Sequence, residues 1–195
     1  HHRSRRLAKA LLALGVRPSS RVGTLAWNTH RHLELYFAVS GIGAVINTVN
    51  PRLFPEQIEY IVNHAEDEIV FFDLPFASLV EKIAPRCRGV RAWVALCDRE
   101  RMPRMSVSVL ALSCYEELVA AQTDDYTWPQ FDENTAASLC YTSGTTGNPK
   151  GVLFAHRSTL LHTLGISLAD SLAVSSRDVV LPVTPMFHVF SWGLP

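Results

Sequence analysis

The sequence predicts an α/β domain of layered sheets and helices. Three observations carry that prediction. Short apolar runs suited to buried strands recur at residues 21–27, 41–49, 69–72 and 90–96. The segments between them space their apolar residues at helical intervals, and Gly15, Asn50-Pro51 and Asp73 to Pro75 punctuate the alternation. Strands that alternate with helices over these lengths are the pattern of a sheet covered by helices.

Taken in order, Leu7, Ala10, Leu11 and Leu14 share a helix face that Gly15 closes. Residues 21–27 read as a strand, and Asn28 or Thr29 can cap a helix over 30–40 by accepting a first-turn N–H. The run 41–49 reads as a strand entering an Asn-Pro turn. Pro55 suits the first position of the next helix, whose apolar face is Ile58, Ile61 and Val62. A short buried strand at 69–72, a helix over 76–83 and a strand over 90–96 follow. The best internal boundary is 98–108, succeeded by a helix over 115–121 and an acidic loop, 122–134. A strand at 136–141 then feeds a glycine-rich loop. Beyond it come a strand at 152–154, a helix over 157–173, a strand at 179–181 and a segment 182–195. The organisation expected is a first α/β part over 1–97, a connecting segment 98–134, and a part over 135–195 that carries the loop.

Bulk properties exclude several functions. The chain has 195 residues, 48% of them apolar, and a formal net charge of zero. A domain of that length buries roughly 70% of its unfolded surface, enough for a sizeable core. Zero net charge gives no electrostatic case for nucleic acid or an anionic membrane. The longest apolar run, 35–49, is too short to span a bilayer, and the basic start is no secretory leader. Cys87, Cys97, Cys114 and Cys140 lack C-x-x-C spacing and read as reduced thiols of a cytoplasmic protein. Both ends look cut, so the chain is expected to be part of a longer enzyme.

The chemistry concentrates in Tyr141-Thr142-Ser143-Gly144-Thr145-Thr146-Gly147-Asn148-Pro149-Lys150-Gly151. Glycines let backbone N–H groups turn toward a ligand, and consecutive N–H groups form a concave anion site. The hydroxyls can donate further hydrogen bonds, and Lys150 adds a full charge. Each hydrogen bond to a charged group is worth about 1.5–3 kcal/mol, so several could hold a triphosphate. The string is not a Walker A loop, because Lys150 does not directly follow Gly147 and a strand rather than a helix comes next. A Gly/Thr-rich surface turn is the bland alternative for a lone T-x-G, and the length of this string argues against it.

Residues 142–151 resemble the phosphate-loop signature of the adenylate-forming (AMP-binding) superfamily. Residues 25–28, 43–53 and Pro185-Met186-Phe187-His188-Val189 narrow the likeness to bacterial medium- or long-chain fatty-acid–CoA ligases. The resemblance covers essentially the whole chain. It implies the incomplete large N-terminal domain of that fold, the start of an acyl pocket in 135–195, and no C-terminal domain. It implies activation of a fatty acid as an acyl-adenylate with ATP and Mg2+, then thioester formation with CoA. Thr142 is implied near magnesium, and Ser143, Gly144, Thr145, Thr146 and Gly147 near the triphosphate; spacing alone would not choose Thr142 over Thr146. Lys150 is implied to offset charge on the leaving pyrophosphate. His188 and Val189 are implied beside the nucleotide and acyl pocket, and Trp192 at the gate of the acyl tunnel. Against these stand a solvated lysine, a structural histidine and a core tryptophan. Phe190-Ser191 departs from the Asn-Ala usual in the fatty-acid members, which puts chain-length preference in doubt.

Elsewhere the residues argue for little chemistry. His30 and His32 lie two apart on a helix, hence on different faces. His64, His156 and His162 lack partners at metal-ligand spacing, and Glu66-Asp67-Glu68 reads as a solvated helix end. No Gly-x-Ser-x-Gly elbow occurs. The expected partners are a small carboxylic acid, ATP and CoA, with no transmembrane segment, and a homodimer is compatible with this. A ligase for a methylthio- or aryl-acid and a non-catalytic nucleotide-binding module of the same fold are the alternatives. These 195 residues alone are expected not to catalyse.

Overall fold

The computed structural model describes residues 1–105, 111–142, 147–188 and 190–193, with every side chain among them except that of Trp192. The elements are α1 (His2–Ala13), β1 (Arg21–Leu25), α2 (His30–Gly41), β2 (Val45–Thr48), α3 (Pro55–His64), β3 (Asp67–Phe72), α4 (Ala77–Ile83), β4 (Ala92–Ala95), β5 (Leu112–Cys114), α5 (Tyr115–Ala120), β6 (Ala136–Thr142), β7 (Lys150–Ala155), α6 (His156–Ile166) and α7 (Phe190–Gly193). Among the described residues, seven strands form one sheet in the order β5-β4-β3-β1-β2-β6-β7. Every neighbouring pair is parallel except β6 with β7.

Helices cover both faces of the sheet, as a mostly parallel sheet requires. On one face Leu7 and Leu11 of α1, Leu35 and Val39 of α2 and Tyr115 of α5 bury against Val22, Phe71 and Val94. On the other, Ile58, Ile61 and Val62 of α3 and Val80 and Ile83 of α4 pack on Leu25, Val70, Phe72 and Trp93. Local signals set the helix starts. The Thr29 hydroxyl accepts from the His32 N–H at 3.2 Å, and Pro55 opens α3.

Several expectations need correction. The apolar run 41–49 is a strand only over Val45–Thr48, because Gly41 still belongs to α2. Apolarity alone does not separate the end of a buried helix from a buried strand. Residues 179–181 are no strand. Val179 is 100% and Leu181 82% exposed, and neither pairs with a neighbouring strand among the described residues. The helix expected over 157–173 ends at Ile166, and Leu160, Leu161 and Leu164 on it are exposed rather than packed. β5, which was not foreseen, joins the sheet edge beside β4. In Glu66-Asp67-Glu68, strand alternation turns the middle residue inward, so Asp67 is buried.

His30 is exposed and His32 buried, as their spacing requires. The Trp27 carbonyl can only accept, so His32 Nδ1, 3.0 Å away, carries the proton. Nε2 accepts from the Thr24 hydroxyl at 3.0 Å. Burial lowers the pKa of His32 to about 4, against the smaller opposing effect of the Trp27 carbonyl. The folded state thus binds fewer protons than the unfolded one below the ordinary histidine value. Stability from His32 is complete above about pH 6.5 and is lost as pH falls toward 4. Thermal unfolding across that window should show the loss, and His32→Gln should flatten it; an unchanged slope would remove His32 from the acid response.

Candidate active site

Because β1, β2, β3 and β6 run parallel, the loops that leave their C-terminal ends emerge along one edge of the sheet. In open α/β sheets, ligands bind along that edge. The glycine-rich string joins β6 to β7, with Thr142 opposite Lys150 and Tyr141 opposite Gly151. The Thr142 hydroxyl reaches the Lys150 carbonyl at 3.4 Å, tying the two stems together. Ser143, Gly144, Thr145 and Thr146 lie outside the described residues. Gly147 has φ +145°, a conformation that a Cβ would strain, and it is exposed with nothing within 4 Å of where a Cβ would be. Lys150 is exposed and makes no ion pair among the described residues.

The His188 segment reaches the same edge by hydrogen bonds from distant residues. Asn28 Nδ2 donates to the Pro182 and Thr184 carbonyls at 3.0 and 3.2 Å, and its Oδ1 accepts the Met186 N–H at 2.7 Å. The Tyr36 hydroxyl donates to the Met186 carbonyl at 2.5 Å. The Thr48 hydroxyl, at the end of β2, donates to the Phe187 carbonyl at 3.4 Å. Thr48 is also the sheet partner of Cys140, two residues before Thr142. The turn 186–188 therefore sits over β2, one strand from the loop. His188 is exposed and follows the turn expected after Pro185, but no strand leads into that turn among the described residues. Val189 lies outside the described residues. Trp192 falls within α7 and its side chain is not described. Phe190 packs edge-on against Tyr36 and Phe154, with ring centroids 6.1 and 5.4 Å apart.

A second cation stands at this edge. The Arg52 guanidinium lies 5.4 Å from the Trp27 ring and 6.0 Å from that of Phe187, residue 187 adjoining His188. The Trp27 ring is flanked by Phe76 and Phe187, and the Trp27 backbone N–H donates to the Asp73 carboxylate at 2.7 Å. Burial raises the pKa of Asp73 despite that bond and the more distant charge of Arg31. Sequence reasoning missed Arg52 and the clamping role of Asn28. Both stand in stretches singled out for their resemblance, but nothing local pairs them with residues 182–187. For magnesium, the described residues supply the Thr142 hydroxyl, a hard oxygen donor on an exposed strand end. A hydroxyl oxygen of that kind would fit a hard cation that keeps several of its waters.

The chain matches the family model for AMP-binding enzymes over residues 1–194. It is 54% identical over 192 residues to the 3-methylmercaptopropionyl-CoA ligase of Ruegeria pomeroyi, a match covering 98% of this chain and 35% of that one. It is 51% identical over 193 residues to the medium-chain-fatty-acid–CoA ligase of Ectopseudomonas oleovorans, covering 99% and 35%. Its structure superposes on a long-chain-fatty-acid–CoA ligase of Archaeoglobus fulgidus with a TM-score of 0.83, over 99% of this chain and 36% of that one. At 22% identity, that last likeness shows the fold. The chain thus spans 35% of the length of these curated relatives.

Proposed function

The chain belongs to the AMP-binding enzyme family, and from that premise we propose that the full-length protein is an acid–thiol ligase. It joins a carboxylic acid to AMP with release of pyrophosphate, then passes the acyl group to CoA. The observation that carries this reading is the shared edge, where the 142–151 hairpin and the Met186–His188 turn stand one strand apart. Two anionic reactants, a carboxylate and a triphosphate, must meet there.

In this reading Lys150 offsets the charge that gathers on the leaving pyrophosphate, and residues 143–147 wrap the triphosphate. Thr142 would hold magnesium through its hydroxyl; the metal would supply charge neutralisation on the phosphates. His188 orients the reacting carboxylate, and Val189 and Trp192 border the nucleotide and the acyl chain. A fatty acid is the proposed substrate. A methylthio-acid is the second reading, favoured by the similarity to the Ruegeria ligase. We place the protein in the cytoplasm, in keeping with four cysteines that form no disulfide. Among the described residues no helix is long and apolar enough to cross a membrane.

A substrate panel on the full-length protein tests the proposal by pyrophosphate release. Saturated fatty acids should exceed 3-(methylthio)propanoate and aryl acids in kcat/KM by about tenfold, the discrimination that a methylene or two of apolar contact supplies. A methylthio-acid in front would put the second reading in place of the first. Pyrophosphate release with none of the acids would sink both and leave the non-catalytic module.

A further inference from the structure

We infer that Tyr141 is a positioning residue: its ring lies across Gly151 and its hydroxyl is bonded to His64, which pins both stems of the loop to the end of α3. The inference rests on reading residues 142–151 as the triphosphate loop. Tyr141 OH stands 2.7 Å from His64 Nδ1, and the two rings meet edge-on at 5.8 Å. Tyr60, one helical turn before His64, stacks on the imidazole at 5.2 Å with an interplanar angle of 28°. The imidazole is therefore itself held in place.

Gly151 is the cross-strand partner of Tyr141. A Cβ there would come within 3.1 Å of Tyr141 Cζ and 3.1 Å of Leu139 Cδ1, tighter than ordinary van der Waals contact. The missing side chain is what lets the phenol cross the hairpin. Burial, then the charges of Asp67 and Tyr60, raise the phenol's pKa to about 12. Tyr141 stays protonated at neutral pH, so its hydroxyl keeps a proton to share with His64 Nδ1, and the imidazole tautomer sets which of the two donates.

The hairpin has reason to need a brace. Among the described residues β7 pairs with β6 alone, and Gly151, Val152 and Leu153 on it are exposed. β6–β7 is also the one antiparallel pair of the sheet among the described residues, and no helix begins directly after the loop to back it with a dipole. Successive strand residues point to opposite faces. Tyr141 therefore reaches α3 while Thr142, one residue on, addresses the other side. The phenol acts through the stems rather than on a reacting atom.

The test uses the full-length protein with Tyr141→Phe, His64→Ala and the double variant, assayed by ATP–pyrophosphate exchange. Each single variant should raise the KM for ATP about fivefold, the worth of one net hydrogen bond, with kcat and the KM for the acid unmoved. The double variant should match the singles, because both remove one contact. A wild-type KM for ATP in Tyr141→Phe overturns the inference. So does a parallel rise in both KM values with a lower melting temperature, which marks a merely structural role. Amide hydrogen exchange at residues 151–153 separates this from the proposed function, since it needs no turnover. Should the wild type activate no acid, faster exchange there in Tyr141→Phe still upholds the brace, and unchanged exchange removes it.

Discussion

Lys150→Ala in the full-length protein is expected to slow ATP–pyrophosphate exchange by roughly 10²–10³-fold, the scale for removing one preorganised charge-stabilising donor. The expectation follows from where the amine stands. Lys150 opens β7 opposite Thr142, is exposed, and has no carboxylate partner among the described residues. Its charge is not spent on the fold, so its loss should leave the melting temperature alone and appear in the rate. The effect should fall on kcat more than on the KM for ATP, because pyrophosphate gains charge as the α-phosphorus is attacked. Exchange at the wild-type rate would remove Lys150 from the chemistry.

Gly23→Ala should have the largest effect on stability, roughly 2–4 kcal/mol, from overpacking combined with a damaged buried hydrogen bond. Gly23 lies in β1, at the centre of the sheet. A Cβ there would meet Asp67 Oδ2 at 2.7 Å, Asp67 Cγ at 3.1 Å and Val70 Cγ2 at 3.1 Å. The carboxyl cannot simply swing aside. It reaches across β1 to accept from Asn47 Nδ2 at 2.8 Å, and Asp67 is 1% exposed. Burial holds its pKa well above the usual carboxylate range, against the opposing effects of Asn47 and Arg21. The remaining oxygens, Asp67 Oδ1 and Asn47 Oδ1, have no hydrogen-bond partner among the described residues, so further displacement would leave more buried polar atoms unmatched. A clear fall in the thermal unfolding midpoint checks this, and an unshifted midpoint would show that the sheet absorbs the methyl group.

Much of the fold was legible because the signals are local. Thr29 caps α2 through the N–H three residues on, Pro55 starts α3 where its missing N–H costs nothing, and apolar spacing marks the faces that α1 and α3 bury. The loop string was legible for the same reason: a glycine at φ +145° and a lysine at the stem are properties of a few consecutive residues. Where a local signal misled, no neighbour was there to complete it. Residues 179–181 have strand composition, but a strand needs a partner, and these residues find none in the described sheet.

By itself, then, the sequence determined the alternation of strands and helices, the caps, the hairpin loop and its cation. Tertiary structure alone decided that Asn28 clamps Met186 across 158 positions, that Asp67 reaches Asn47 beneath Gly23, and that Tyr141 meets His64. Periodicity and capping depend on residues within a turn of one another. Those three contacts depend on the order β3-β1-β2-β6, and strand order is set by how the helices pack on the sheet, which no short window of residues contains.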